Sequence, residues 1–263
     1  MSGGRVAPNG RPGIADGMAA AIVAPASAPF GTGWSRPDAA PSAASAVKIE
    51  LRLAIRDRAR YLSHLEMVDL LLAALRRAGY EVALSNGMRP RPVISLALAR
   101  GVGIASEDER CTVELVGSDI DLDDLVERLR ATCPRGVVPI EAGVAGARSI
   151  VAEATYCIEF DAPGDLVAQA VAGYHSATEL AVPRRSPKQR RSIDVRRFAP
   201  ELVLAGSAVT VAIAIFEDGS AKPEEVVRAL SHCANGDLPV AGITRLAVRT
   251  VPNPARVGAT ENT

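Results

Sequence analysis

The first patterned stretch of the chain alternates apolar with polar residues. Over residues 47–56 the side chains of Val47, Ile49, Leu51, Leu53 and Ile55 are apolar, and those between them are mostly charged. A period of two residues predicts a strand with one buried face and one face in contact with water. We therefore expect the folded part of the chain to open with a strand.

A helix is predicted next, from Ser63 to Ala78. Ser63 and Glu66 have the spacing of a capping box, in which each satisfies a free backbone N–H at the start of the helix. Gly79 has the position of the residue that commonly ends a helix in a left-handed conformation. The residues expected on the buried side of this helix, at helical spacing, are Leu65, Val68, Leu72 and Leu75.

Similar patterns downstream predict two runs of the order strand, helix, strand, strand, helix, strand. The first run continues with strands near 94–97 and 111–115, a helix over 121–131 and a strand over 136–142. The second follows the order loosely, with strands over 154–160, around 193 and 202–204, and over 209–216 and 243–250, and with helices over 165–177 and 223–233. This order is typical of split βαβ units. We predict an α+β fold of two tandem ferredoxin-like (split βαβ) modules with antiparallel sheets.

The ends of the chain lack this periodicity. Residues 1–46 are rich in Gly, Ala, Pro and Ser. Such a segment cannot bury enough apolar surface to offset the entropy of ordering, so we predict a disordered N-terminal extension. The modules are expected over 47–150 and 151–252, and residues 253–263 are expected to form a flexible tail.

Charge and cysteine content narrow the functional classes. The chain has 30 basic and 30 acidic residues, so binding to nucleic acid needs a local patch rather than an overall field. The four cysteines lack the spacing of a zinc or iron–sulfur site, so we expect reduced thiols and no metal bound by this chain alone. No stretch of about 18 apolar residues occurs, which argues against a membrane partner and favours the cytoplasm. The cysteines are Cys111, Cys133, Cys157 and Cys233.

Several short stretches, taken in order along the chain, carry a family resemblance. They are 60–66 (Arg-Tyr-Leu-Ser-His-Leu-Glu), 84–95 (Leu-Ser-Asn-Gly-Met-Arg-Pro-Arg-Pro-Val-Ile-Ser) and 101–107 (Gly-Val-Gly-Ile-Ala-Ser-Glu), followed by 193–196 and 219–226. Together they resemble the radical SAM-linked protein family, a bacterial domain of unknown function found beside or fused to radical SAM enzymes.

The resemblance implies a partner and a context. The partner would be a radical SAM enzyme carrying an iron–sulfur cluster and S-adenosylmethionine, whereas no cofactor is expected on this chain. Ribonuclease and ribosomal genes near family members imply a connection with RNA. The chain departs from the family at Glu66, where Asp is usual, and at residues 88–92, where the family has Phe-Asn-Pro-His-Pro. The missing histidine argues against a metal or proton-transfer role for this loop.

The first candidate binding residues are Arg60, Tyr61 and His64, beside the predicted helix start. His64 is either a proton shuttle, because the helix dipole favours a neutral imidazole there, or a structural residue next to the cap. The capping-box match favours the structural interpretation.

A second group lies in the loop 86–92, where prolines stiffen the backbone. Asn86, Arg89 and Arg91 would then be held in positions that suit a phosphate or a planar base. The alternative is a solvated turn with ordinary surface arginines.

The third group lies in the densest run of positive charge, residues 184–197. Its candidates are Lys188, Arg190, Arg191 and Arg196. A local patch of this kind suits contact with a phosphate backbone. The alternatives are a disordered basic hairpin and a docking surface for an acidic partner. The run contains no aromatic residue, so base stacking has no platform within it.

These features favour a non-enzymatic accessory protein of a radical SAM enzyme, binding RNA or another anionic substrate through basic loops. No catalytic residue is assigned, because no nucleophile elbow, P-loop, dinucleotide-binding or HExxH signature occurs. One alternative is an RNA-modifying enzyme with the architecture of pseudouridine synthases, for which Asp194 is the best candidate. The other is a pure protein-interaction module.

Overall fold

A computed structural model of the chain describes residues 45–146, 149–184 and 191–253. The described helices are α1 (His64–Arg77), α2 (Leu122–Thr132), α3 (Gly164–Ser176) and α4 (Pro223–Cys233). The described strands are β1 (Ala46–Ile55), β2 (Ile94–Leu96), β3 (Ala105–Val116), β4 (Val137–Val144), β5 (Ser149–Phe160), β6 (Ala181–Arg184), β7 (Arg191–Asp194), β8 (Leu202–Ala205), β9 (Ala208–Phe216), β10 (Gly219–Ser220) and β11 (Val240–Pro252). A short 3-10 helix, Asp57–Tyr61, links β1 to α1.

A single mixed sheet contains every described strand except β6 and β7, which pair as a hairpin. Its main order is β10-β9-β5-β11-β3-β1-β4, with β2 beside β3 and β8 beside β9. Among the described strands, all pairings are antiparallel apart from that of β11 with β3. The predicted α+β class with mostly antiparallel pairing is therefore confirmed.

Each half of the sheet repeats one spatial order. The first half runs β4-β1-β3-β2 and the second β11-β5-β9-β8. The finer division into two tandem ferredoxin-like modules stays a prediction. The predicted N-terminal extension lies outside the described residues except for 45 and 46, and so does the predicted tail except for residue 253.

Helix α1 shows which local predictions succeed. Its capping box is present, because Ser63 N donates to Glu66 Oε2 at 2.8 Å and Glu66 N donates to Ser63 Oγ at 3.4 Å. The predicted buried stripe is wrong in part, since Leu65 is 73% exposed. A second stripe with equally good helical spacing is buried instead, so the period alone did not identify the buried face. The buried residues of α1 are Met67, Leu71, Ala74 and Leu75.

Two hydrophobic clusters lie against the sheet, one for each half. The first joins β1, β3, α1 and α2, and it includes the buried thiol of Cys111. The second joins β5, β9, α3 and α4. Within the described ranges, no helix is long and apolar enough to cross a bilayer.

The two halves meet where β3 runs parallel to β11, a junction that we call the seam. Only two register pairs form it, Thr244 with Ala105 and Arg245 with Ser106. Asp108 extends the junction, because its Oδ2 accepts a hydrogen bond from Val248 N at 2.7 Å. So short a backbone ladder leaves side chains to hold the halves together.

Candidate functional site

A buried ion pair joins the two strands of the seam. The Arg245 side chain is 1% exposed and donates to Glu109 Oε2 at 2.5 Å, to Ser106 Oγ at 3.2 Å and to the Leu98 carbonyl at 3.4 Å. Glu109 comes from β3 and Arg245 from β11, so this ion pair crosses the junction. Buried ions are tolerated in a protein only when they are paired and hydrogen-bonded in this way.

Arg100 supplies a second buried guanidinium on the first half. Its Nη1 donates to the carbonyls of Arg60 (2.7 Å), Ile104 (2.5 Å) and Gly101 (3.3 Å), and its Nη2 donates to that of Leu62 (3.2 Å). This arginine therefore holds the segment before α1 against the segment before β3.

Arg100 and Arg245 share one carboxylate. Arg100 Nε lies 3.4 Å from the same Oε2 of Glu109 that Arg245 contacts. Burial raises the pKa of Glu109, although both guanidiniums oppose that shift. Burial likewise lowers the pKa of Arg100. The two guanidiniums therefore share one buried carboxylate at this point of the seam.

A cavity of about 370 Å³, which we call the central pocket, opens beside these charges. Its wall combines residues of the first half, Arg100 and Gly101, with residues around the start of α4 in the second half. Its volume is within the range of small-molecule sites. The polar and aromatic side chains that line it are Arg100, Tyr156, Arg184, Ser220, Lys222 and Glu224.

Arg184 is held at the pocket by Glu225 of α4. Its Nε and Nη2 donate to the two carboxylate oxygens at 2.9 and 2.8 Å, and Nη2 also donates to the Ser220 carbonyl at 2.5 Å. Burial favours the neutral form of Glu225, but the Arg184 hydrogen bonds, the Lys222 backbone N–H and nearby positive charge outweigh it. The pKa of Glu225 consequently lies below its usual value.

The side chains of Lys222 and Glu224 differ from these residues, because neither forms an ion pair within the described ranges. Lys222 is exposed, and its ammonium group forms no ion pair with the described part of the chain. Glu224 Oε2 is buried and has no hydrogen-bond partner within the same ranges. Tyr156, only 7% exposed, lines the same pocket, and burial raises its pKa. Within the described ranges, the pocket thus presents a cation without an ion pair, a carboxylate with one buried oxygen that lacks a hydrogen-bond partner, and an aromatic ring.

Of the residues predicted from sequence, Arg60, Tyr61 and His64 lie nearest the seam. Arg60 Nη2 donates to the Tyr61 hydroxyl at 3.1 Å, and its guanidinium is 5.1 Å from the centre of the Tyr61 ring. Tyr61 is 57% exposed. His64 is exposed and borders a cavity of about 10 Å³ that Arg100 and Glu109 also line.

The predicted loop group lies away from the central pocket. The loop closes as a turn, in which Ser85 N donates to the Arg91 carbonyl at 2.8 Å and Arg91 N donates to Ser85 Oγ at 3.1 Å. Asn86, Arg89 and Arg91 are exposed, and none of them lines the central pocket. Their binding role stays a prediction.

The third predicted group is divided. Lys188 and Arg190 lie outside the described residues. Arg191 is exposed, and its backbone lies opposite that of Arg184 in the antiparallel pairing of β6 with β7. Arg196 is engaged by the fold, since its Nη1 donates to the Pro200 carbonyl and its guanidinium lies 5.3 Å from the centre of the Tyr174 ring.

Asp194, the best candidate of the enzyme alternative, serves the backbone. Its Oδ1 accepts hydrogen bonds from Leu180 N at 2.9 Å and from Arg196 N at 3.1 Å. Among the described residues, no group of three or more His, Cys, Asp or Glu side chains is placed to hold a metal ion.

Sequence reasoning missed the residues that form the pocket, but one signal pointed to them. Two stretches that carried the family resemblance, 101–107 and 219–226, meet at the central pocket through Gly101 and Ile104 on one side and residues 220–224 on the other. A site formed by both stretches would explain why both belong to the family resemblance.

These observations define an α+β protein with a charged pocket next to the junction of its two halves. The chain belongs to the family of uncharacterised proteins conserved in bacteria called DUF2344, which matches residues 48–229 of its 263 residues. A bacterial domain of unknown function is therefore confirmed. No curated protein matches the chain.

Two solved structures show weak similarity. A chain of a Cbf5–Nop10–Gar1 complex is 10% identical with a TM-score of 0.40, over 75% of this protein and 48% of that chain. An unknown protein from Galdieria sulphuraria is 16% identical with a TM-score of 0.26, over 79% of this protein and 99% of that chain. This protein thus spans about half the length of the chain from the complex. Similarity at this level carries no information about function.

Proposed function

We propose that this protein is a non-enzymatic accessory protein that binds RNA at the central pocket and presents it to a radical SAM enzyme. The observation that carries the proposal is the exposed Lys222, which forms no ion pair within the described ranges and lines the central pocket together with Arg100 and Arg184. RNA is an anionic ligand, and its phosphates are contacted mainly by lysine and arginine.

The architecture supports the same proposal. We infer that each half is a ferredoxin-like module, so that the central pocket lies where elements of both modules meet. The aromatic ring that the basic run lacks is present here, because Tyr156 lines the pocket together with Arg184. Single-stranded RNA is commonly bound by cations along its backbone and by aromatic rings under its bases.

The radical SAM partner rests on the family resemblance of residues 60–66, 84–95 and 101–107. The partner would supply the iron–sulfur cluster and S-adenosylmethionine. Purification of the tagged protein from its native bacterium, with and without ribonuclease, tests this. Recovery of a radical SAM enzyme together with ribonuclease-sensitive RNA is the expected result, and recovery of neither would contradict it.

The RNA-binding step is tested by a charge reversal at the pocket. Lys222→Glu should weaken binding of single-stranded RNA, measured by fluorescence anisotropy, about equally for all sequences. It should also reduce the slope of log affinity against log salt by about 0.7, because one phosphate contact is lost. Lys48→Glu is the matched control, since Lys48 is exposed on β1 and does not line the central pocket.

Two results would refute the RNA-binding proposal. Equal losses for Lys222→Glu and Lys48→Glu would place the effect in net charge rather than in the pocket. Partner binding that ignores RNA and survives high salt would favour the protein-interaction alternative, because phosphate contacts weaken steeply with salt. Arg89→Glu in the same assay tests the contribution of the exposed loop.

A further inference from the structure

The central pocket is lined by a carboxylate that forms no ion pair and has one oxygen without a hydrogen-bond partner, as far as the described residues extend. Glu224 is the second residue of α4, and its Oε2 is buried without a hydrogen-bond partner among the described residues. Buried polar atoms are nearly always hydrogen-bonded, and an unmet buried carboxylate oxygen is costly. A ligand that donates hydrogen bonds would remove that cost once the side chain turns this oxygen toward the pocket that Glu224 lines.

The surroundings of Glu224 suit a flat ligand. The pocket wall near it is mostly apolar, formed by Ile104, Ala154 and Ile213, and Tyr156 adds an aromatic ring. Gly101 leaves space for the carboxylate, because a Cβ at this position would lie 3.0 Å from Glu224 Oε1. Pockets that read an extruded base combine these elements, namely apolar or aromatic walls and polar groups facing the Watson–Crick edge.

We propose that the central pocket takes a single guanine base, with Glu224 accepting hydrogen bonds from its N1–H and its N2 amino group. This inference rests on the proposed function and names the nucleotide that the pocket prefers. A carboxylate offers two acceptor oxygens side by side, and the guanine edge offers two adjacent donors. Uracil places one N–H between two carbonyl oxygens, which a carboxylate repels, and adenine and cytosine place their amino group next to a ring acceptor.

The position of Lys222 completes the arrangement. It is exposed at the first turn of α4, two residues before Glu224 in the chain, and lines the same pocket. A base held by Glu224 would leave its phosphate toward the mouth of the pocket, where Lys222 supplies a positive charge. Base recognition and phosphate binding are therefore assigned to different residues, which can be tested separately.

Calorimetric titration of the full-length protein with GMP, IMP and UMP tests the base. GMP should bind at least about tenfold more tightly than UMP, as expected for a bidentate contact to a base, and IMP, which lacks the N2 amino group, should lie between them. Glu224→Gln keeps the shape of the side chain but replaces one acceptor with a donor. It should reduce GMP affinity to that of UMP and leave UMP unchanged.

A second variant tests the guanine preference without changing Glu224 itself. Gly101→Ala places a methyl group 3.0 Å from both Glu224 Oε1 and Ile104 Cδ1, so it should also reduce the preference for GMP. Gly143→Ala is its matched control, because a Cβ there meets no atom within 4 Å. Circular dichroism of each variant establishes that the fold is retained.

Single-stranded RNAs with and without guanosine separate this proposal from the proposed function. RNA binding without preference for guanosine, unchanged in Glu224→Gln, would overturn the guanine site and leave RNA binding intact. A GMP preference that depends on Glu224 without any RNA binding would support the site for a free nucleotide and overturn the RNA proposal. Binding of neither GMP nor RNA would overturn both.

Discussion

Removing the negative charge from the seam should destabilise the protein more than any surface charge change. Glu109 is the single carboxylate that both Arg100 and Arg245 contact, at 3.4 and 2.5 Å, and its side chain is 1% exposed. Glu109→Gln preserves the size of the side chain while leaving two buried guanidiniums without an anion. The substitution therefore isolates the electrostatic part of the junction.

The expected cost follows from burial. Breaking a buried ion pair by neutralising one member typically costs about 3–5 kcal/mol, because the remaining charge stays buried. The total stability of a domain is about 5–15 kcal/mol, so this loss is a large fraction of it. Arg100 also donates hydrogen bonds to four backbone carbonyls, which remain in the variant. We therefore expect a total loss near the lower end of the range of about 3–5 kcal/mol.

Equilibrium urea unfolding monitored by far-UV circular dichroism is the appropriate assay. The only tryptophan, Trp34, lies outside the described residues, and circular dichroism follows the described helices and strands directly. Glu141→Gln is the matched control. It removes the same charge from an ion pair with Arg52 in which Glu141 is 62% exposed, and such pairs contribute below about 1 kcal/mol.

A double substitution completes the test. Replacing the pair with apolar residues, as in Glu109→Leu with Arg245→Met, should recover part of the loss, because well-packed apolar replacements of buried ion pairs are often neutral. The reasoning is refuted if Glu109→Gln costs no more than Glu141→Gln, or if the double variant is less stable than Glu109→Gln alone.

Three further predictions concern acidity, a thiol and a turn. Glu225→Gln should be less stable than the wild type at neutral pH, and the gap in unfolding free energy should narrow as pH falls below 4.5. The pKa of Glu225 is lowered from that value by folding, so its stabilisation is present above 4.5 and lost on acidification. Cys111, whose pKa burial raises to about 12, should resist alkylation by iodoacetamide until the protein unfolds. Gly136→Ala should cost at least about 1 kcal/mol, because φ is +91° and a Cβ would lie 2.6 Å from the Arg56 carbonyl oxygen.

Each of these has a control in the same chain. Acid unfolding of the wild type and Glu225→Gln with equal pH dependence would contradict the first. Mass spectrometry after alkylation in urea shows that Cys111 can react, and equal modification in native buffer would contradict the second. Gly143→Ala, in open space, controls the third, and an equal stability of the two glycine variants would contradict it.

Local signals account for the parts of the fold that sequence predicted correctly. The capping box of Ser63 and Glu66 involves residues three positions apart, so α1 could be placed within about a residue of its observed bounds. The seam could not be predicted in this way. Arg245 is 136 residues from Glu109 and 139 from Ser106, and contacts at that separation leave no periodic trace in either strand.

The candidate site was missed for a different physical reason. The sequence shows where positive charges are dense, but it does not show which of them already have a carboxylate partner in the fold. The run 184–197 is the most basic part of the sequence, yet Arg184 is paired with Glu225 and Arg197 lies 2.7 Å from Asp218. Lys222, by contrast, is isolated in the sequence and is left unpaired within the described ranges. A guanidinium already held by a carboxylate must give up that partner before it can bind phosphate, whereas a free ammonium gives up only water. A search for binding residues in proteins of this kind should therefore begin from charges that the fold leaves without a partner.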